Sequence, residues 1–274
     1  MKTLLRRLAF AALSAACIAR AAEDVPFVVT PHDVTVTMLQ IARVNANDYV
    51  IDLGSGDGRI VIAAAKDFGA RAFGVEIVPD LVKKSRESAA AAGVASRVEF
   101  REQDLFKTNL SEATVITMYL LPDVNLELRP KLLALKPGTR IVSHDWDMGD
   151  WPPERTVIVE APDKGIGLEK ASKVHLWIVP ARLHGAWCGG SGRAKHATLQ
   201  FDQKFQAFKA TLTRGDARHS FKGRIRGAQV QSVDDDLVMA AEGDRLRPVV
   251  ARNAFSAFRG VTFSRRTGDT CDAR

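Results

Sequence analysis

Seven residues, Asp52-Leu53-Gly54-Ser55-Gly56-Asp57-Gly58, restrict the fold of this chain more than any other feature. They follow the apolar run 49–53, which has the length of a buried strand, and they open the run 59–68, which has helical spacing. A strand that turns through glycines into a helix starts an α/β unit whose ligand lies against the turn. Glycine allows the backbone to pass close to that ligand in conformations other residues resist.

The rhythm continues along the chain. Strand-like runs at 71–76, 98–102, 113–120 and 140–145 alternate with helix-like runs at 80–92 and 124–135. An opening helix is expected after Thr30 as cap, Pro31 in the first turn and Asp33 at the acidic third position. Strands separated by helices imply a parallel sheet covered on both faces. At 156–160 and 174–179 two strands follow with no helix signal between them, as in an antiparallel edge hairpin. The expected architecture is a doubly wound, seven-stranded, Rossmann-like sheet of the methyltransferase type. From residue 185 the signals are all β: 197–213 alternates through Leu199, Phe201, Phe205, Phe208 and Leu212, with further candidates at 221–230, 237–241 and 254–263 and a loop at Gly189-Gly190-Ser191-Gly192. This divides the chain into an α/β unit over 22–180 and a small antiparallel sandwich or barrel over 181–274.

The first 21 residues stand apart. Lys2, Arg6 and Arg7 precede an apolar run at 8–19, and Ala19-Arg20-Ala21 offers small residues at the cleavage positions. This pattern predicts a secretory signal, cleavage after Ala21 and a periplasmic protein. A lipoprotein reading would use Cys17, but Ser14 stands where such a motif prefers leucine. Residues 22–180 carry 18 basic and 23 acidic side chains, while 181–274 carry 17 and 9. The basic end suits a solvated surface or contact with membrane headgroups. Its charges are scattered, which argues against a nucleic-acid partner. Cys188 and Cys271 would remain after cleavage, either paired in an oxidising compartment or as free thiols. No Cys/His spacing suggests a metal.

The glycine loop alone fits NAD, FAD or S-adenosylmethionine (SAM). A dinucleotide site wants a third glycine where this chain has Arg59, and here Asp52 leads into the loop. An acid there would repel a phosphate and suits the ammonium group of SAM. Glu76, ending the second strand, is placed to accept ribose hydroxyls. Asp104, just past the third, is placed to accept the adenine amino group, with Leu105 and Phe106 as apolar contacts. Thr30, Asp52, Gly54, Ser55, Gly56, Glu76, Asp104 and Leu105 form the candidate cofactor site. Tyr119 ends the fourth strand, where a methyl group would leave, and His144-Asp145 ends the fifth. These three are the candidate catalytic residues: Tyr119 to line the substrate channel or orient an amine, His144 as a general base or a loop-fixing residue.

Phe27-Val28-Val29-Thr30-Pro31, the run from Asp52 to Ile60, Tyr119-Leu120-Leu121-Pro122 and the run from Lys136 to Asp145 together resemble one family over about residues 26–152. It holds the mitochondrial lysine methyltransferases that modify the ATP synthase c-subunit and the adenine nucleotide translocase. The resemblance implies SAM as cofactor, held at Asp52, Gly54, Gly56, Glu76 and Asp104, and lysine N-methylation of a protein substrate. The β-rich end and the export signal lie outside it. Two other readings stand beside this one: an exported, non-catalytic binding protein that keeps the fold, and an NAD-dependent oxidoreductase. Export conflicts with the cytoplasmic supply of SAM.

Overall fold

The computed structural model describes residues 28–165, 169–190, 196–266 and 271. The expected signal segment and its cleavage site lie outside the described residues, as do Ser191 and Gly192 at the far end of the glycine-rich loop.

Helix α1 (His32–Ile41) leads into β1 (Tyr49–Leu53), α2 (Arg59–Phe68), β2 (Arg71–Glu76), α3 (Pro79–Ala91) and β3 (Val98–Glu102). Then come β4 (Val115–Met118), α4 (Pro122–Leu133), β5 (Arg140–His144), β6 (Arg155–Glu160) and β7 (Ala171–Ile178). The sheet order is β3-β2-β1-β4-β5-β7-β6. The first five strands are parallel, while β7 runs antiparallel to both β5 and β6. Order reverses between β1 and β4, which opens the ligand crevice of such sheets at the carboxyl ends of those strands.

Alternation along each strand feeds two cores. Val50, Ala72, Val115 and Val142 pack with residues of α1, α2 and α3. Ile51, Leu53, Val75, Ile116 and Ile141 pack with Leu128 and Leu132 of α4. Asp52 shares the Val50 face, so its carboxylate is buried on the side the helices cover, next to the end of β1. Helix α1 corrects one expectation. Its N-terminal boundary is Pro31, with no side-chain cap. Thr30 does not cap because its hydroxyl lies 3.3 Å from His144 Nδ1 instead.

The remaining strands, β8 (Gly185–Gly189), β9 (Ala197–Lys204), β10 (Ala207–Arg214), β11 (Ala217–Arg226), β12 (Gln229–Ser232), β13 (Leu237–Glu242), β14 (Arg245–Ala251) and β15 (Phe263–Arg265), close into an eight-stranded barrel. Three candidates are corrected. The run 197–213 is two strands, because Phe205 takes a left-handed turn at φ 52°. The run 221–230 breaks at Gly227, φ 58°. In 254–263 a 3-10 helix, Asn253–Phe258, precedes a short strand. Cys188 and Cys271 are joined in a disulfide, Cα–Cα 5.6 Å.

The barrel rests on the sheet through its β9–β10 turn. Phe205 stacks on Trp151 at 6.0 Å between centroids. Gln206 Nε2 donates to Pro152 O at 2.7 Å, and Lys204 pairs with Asp150 at 3.1 Å. These contacts hold the loop that follows β5. Among the described residues no helix is long and apolar enough to cross a membrane.

Candidate active site

The glycine loop is folded onto β2. Gly54, Gly56 and Gly58 all have positive φ, at 74°, 53° and 81°. A side chain at Gly54 would also meet the flexible end of Leu120 at 2.9 Å, but it is the left-handed conformation that calls for glycine there. Gly54 N–H and Ser55 N–H donate to Val75 O, Gly58 N–H to Ser55 O, and Gly56 N–H to Glu76 Oε2. Four loop amides are thus spent on the protein itself. A pyrophosphate site needs such amides free, so the loop is a poor phosphate cradle.

Glu76 accepts from Gly56 N–H at 2.9 Å, Ile77 N–H at 2.8 Å and Val78 N–H at 3.0 Å. A carboxylate offers about four lone-pair sites, which leaves room for a ligand hydroxyl. Asp104 Oδ1 accepts from Phe106 N–H at 2.8 Å, which turns the chain into the short 3-10 segment Leu105–Lys107. Ile77, Val78 and Phe106 are exposed, 68%, 43% and 37%, beside these acids. Apolar side chains left in water at the ends of β2 and β3 suit a flat heterocycle. The sequence reading missed Ile77 and Val78, although two aliphatic residues directly after a strand-ending acid were the available signal.

Asp52 accepts from Thr117 Oγ1 at 2.7 Å. Burial, opposed by that hydrogen bond and aided by the charges of Glu76 and Asp57, pushes its carboxyl up to about 7. A cationic ligand would recover that cost by favouring the charged form. Ser55 Oγ is buried without a protein partner. It lies 2.7 Å from where a Cβ on Gly74 would stand, so Ser55 points at the sheet and faces a ligand only through its backbone.

The ends of β4 and β5 form a second cluster. Tyr119 and His144 rings stack with centroids 3.8 Å apart. Tyr119 OH donates to Asp145 Oδ2 at 3.4 Å, and Lys164 Nζ reaches the same oxygen at 2.8 Å. Burial, then the Asp145 charge, raises the Tyr119 phenol to about 12, so it stays protonated. His144 is fully buried, with Nε2 2.8 Å from Ser172 Oγ and Nδ1 on Thr30. Burial keeps it neutral, well below the usual histidine value. With both nitrogens engaged, its contacts are those of a positioning residue. Burial raises Asp145, but the Lys164 hydrogen bond and the Lys173 N–H outweigh it and hold the carboxylate low and charged. Lys164 had no sequence signal, since only the return of the β6–β7 hairpin brings it here. Trp146 is 44% exposed next to Asp145, its carbonyl held by Asn125 Nδ2 at 3.3 Å.

A separate recess of about 750 Å³ lies on the barrel, lined among others by Asp202, Lys209, His219, Lys222 and Asp234. None of the crevice residues line it, and its mixed charges favour no ligand class. Among the described residues no cluster of three or more His, Cys, Asp or Glu is arranged for a metal ion.

Residues 52–155 match the family described as the ANTKMT methyltransferase domain. A protein-lysine N-methyltransferase of Saccharolobus islandicus is 46% identical over 138 residues, covering 50% of this chain and 86% of that one. The chain belongs to this methyltransferase family. Its cofactor is S-adenosylmethionine. The ATP synthase c-subunit lysine N-methyltransferase of Mus musculus is 39% identical over 108 residues, and the mouse adenine nucleotide translocase lysine N-methyltransferase 38% over 116. The methyltransferase aligns with about half the length of these mouse relatives, 43% and 50%. Among solved structures, a Salinibacter ruber protein described as an RNA methyltransferase, in complex with S-adenosyl-L-homocysteine, is 54% identical. It covers 57% of this chain and 96% of that one, with a TM-score of 0.52. The donor set fits the cofactor: carboxylates for an ammonium and a ribose, apolar side chains for adenine, and no free amide nest for phosphate.

Proposed function

We propose that this methyltransferase transfers methyl groups to lysine side chains of a protein. The observation that carries the reading is the acceptor edge, where the charged Asp145 carboxylate lies beside Tyr119 and the exposed Trp146. An acid and aromatic faces draw in a cationic side chain, and loss of water disfavours its charged form once it is inside. The naming of the Saccharolobus relative supports the same class.

Bound S-adenosylmethionine supplies a methyl group already activated on a sulfonium. The protein's task is then mainly alignment. Asp52, Glu76 and Asp104 would hold the cofactor, with the glycine loop, Thr30 and Leu105 around it. Tyr119, protonated throughout the neutral range, offers its oxygen to an incoming amine and its ring as a wall. His144 fixes the Tyr119 ring from below and serves no proton transfer in this reading. Lysine would release its proton to water before attack.

The RNA description of the Salinibacter protein gives a second reading. Residues 22–180 hold more acids than bases, which disfavours a polyanion at this crevice. Incubation of the purified chain with labelled SAM, an envelope protein extract and total RNA, with mass spectrometry of the products, separates the two. Methyl-lysine in a protein band supports the proposal. Label confined to RNA overturns it.

We further propose export, with the barrel facing an acidic partner or membrane headgroups. The N-terminal pattern, the Cys188–Cys271 disulfide and the basic excess of residues 181–274 support this reading. A mature chain starting at Ala22 is the expected result of N-terminal mass analysis; an intact Met1 on cytoplasmic protein would sink it.

A further inference from the structure

Asp145 stands at the end of β5 with a left-handed backbone, φ 62°. That conformation is uncommon for a residue with a side chain and persists only where the surroundings enforce it. Here they do: Asp145 N–H donates to Lys173 O at 2.7 Å, and Lys173 N–H returns to Asp145 Oδ1 at 3.0 Å. The remaining oxygen, Oδ2, lies beside the Tyr119 hydroxyl. Lys164 Nζ occupies that same oxygen at 2.8 Å.

Topology explains how it gets there. β7 is antiparallel to β5 and β6 is antiparallel to β7, so β6 runs parallel to β5. The connection after Glu160 therefore returns over the carboxyl edge of the sheet, the edge that carries Tyr119 and Asp145. One of the chain's own lysines thus has its ammonium where the acceptor reading places that of a substrate.

We propose that Asp145 Oδ2 is the seat for the acceptor's alkylammonium group, and that Lys164 fills this seat until an acceptor displaces it. The inference rests on the lysine-acceptor reading. Lys164 is suited to a removable occupant. Its four-carbon stem reaches in from a hairpin connection and can swing away without moving a strand. Its side chain is only 12% exposed, and its other hydrogen bond goes to Ala171 O, within its own hairpin. Paired with Asp145 Oδ2, it competes with an incoming ammonium for the same oxygen. A tethered competitor lowers the apparent affinity for a free one by the fraction of time the seat is open.

The test uses the full chain with S-adenosylhomocysteine, titrated with n-butylammonium, the end of a lysine side chain. Lys164→Met should bind it at least about tenfold more tightly than the unmodified chain, because the seat is then always open. Asp145→Asn should weaken binding in both backgrounds, and Lys164→Arg should restore competition. S-adenosylhomocysteine affinity should be unchanged in Lys164→Met, which also reports that the variant is folded. The proposal is overturned if Lys164→Met binds n-butylammonium no better. It is also overturned if Lys164→Met and Lys164→Gln both unfold, since the pair would then be structural, or if SAM methylates Lys164 itself. The readout needs no turnover. Methyl-lysine formation with no Lys164 effect sinks this inference alone; a Lys164 effect with label only in RNA sinks the acceptor reading and leaves an ammonium site.

Discussion

At the ends of β2 and β3 main-chain N–H groups anchor the acids, three on Glu76 and one on Asp104, whose other oxygen meets only the exposed Lys107 at 3.3 Å. At the end of β5, Asp145 gives one oxygen to a main-chain N–H and the other to two side chains, Lys164 and Tyr119. Backbone donors are fixed by the strands they belong to, whereas a lysine or a phenol can turn aside. The cofactor half of the crevice is therefore preformed, and the acceptor half is exchangeable. That division suits an enzyme that binds the same cofactor at every turnover while its acceptor must enter and leave.

The strongest challenge to this comparison is Gly56→Arg. The residue has φ 53° and its N–H ties the loop to Glu76. The folded variant should lose S-adenosylhomocysteine binding by more than about 100-fold in calorimetry, given strained backbone plus a filled crevice. Retained affinity would show that the glycine loop does not face the cofactor.

Glu76→Ala comes next. It removes a charge-assisted acceptor for ribose and frees three amides, so affinity should fall by about one to three orders of magnitude. A loss equal to that of Tyr119→Phe would erase the distinction between the halves.

Asp52 predicts a pH dependence. Its folded pKa of about 7 lies above the ordinary 3.8. The folded chain therefore holds a proton that the unfolded chain releases, and this contribution to stability is complete below the ordinary value and is lost as pH rises towards 7. Binding of the cofactor product, through its ammonium group, should run the other way, tightening by up to about tenfold between pH 6 and 8 as the carboxylate charges. Asp52→Asn should flatten both curves, read by melting temperature and by calorimetry.

The smallest effect is expected for Tyr119→Phe. S-adenosylhomocysteine affinity should stay within about twofold, since the lost hydroxyl is on the acceptor side. Single-turnover methylation should slow. Lost cofactor affinity would reverse the placement of the two halves.

How far the sequence could be read follows the same physics. The runs 49–53, 59–68, 71–76 and 98–102 coincide with β1, α2, β2 and β3, because glycines and charged ends punctuate buried strands there. The edge hairpin was legible from the missing helix signal. The barrel was harder. Phe205 continues the apolar alternation of Leu199 and Phe201, yet it forms the β9–β10 turn without glycine or asparagine and packs on Trp151. Tertiary contact overrode turn chemistry at that point. Strand β14 escaped because Arg245, Arg247 and Pro248 interrupt its pattern. In the site, acids at strand ends were visible from spacing, but Lys164 was not, because its placement depends on a hairpin's return across the sheet.

The barrel's closure carries a consequence for its neighbours. Every strand from β8 to β15 has hydrogen-bonded partners on both sides. Among the described residues it offers no open margin onto which a foreign strand could be zipped. Whatever meets this end of the molecule must be recognised by side chains, and Arg218, Lys222, Arg224 and Arg247 are among those it presents.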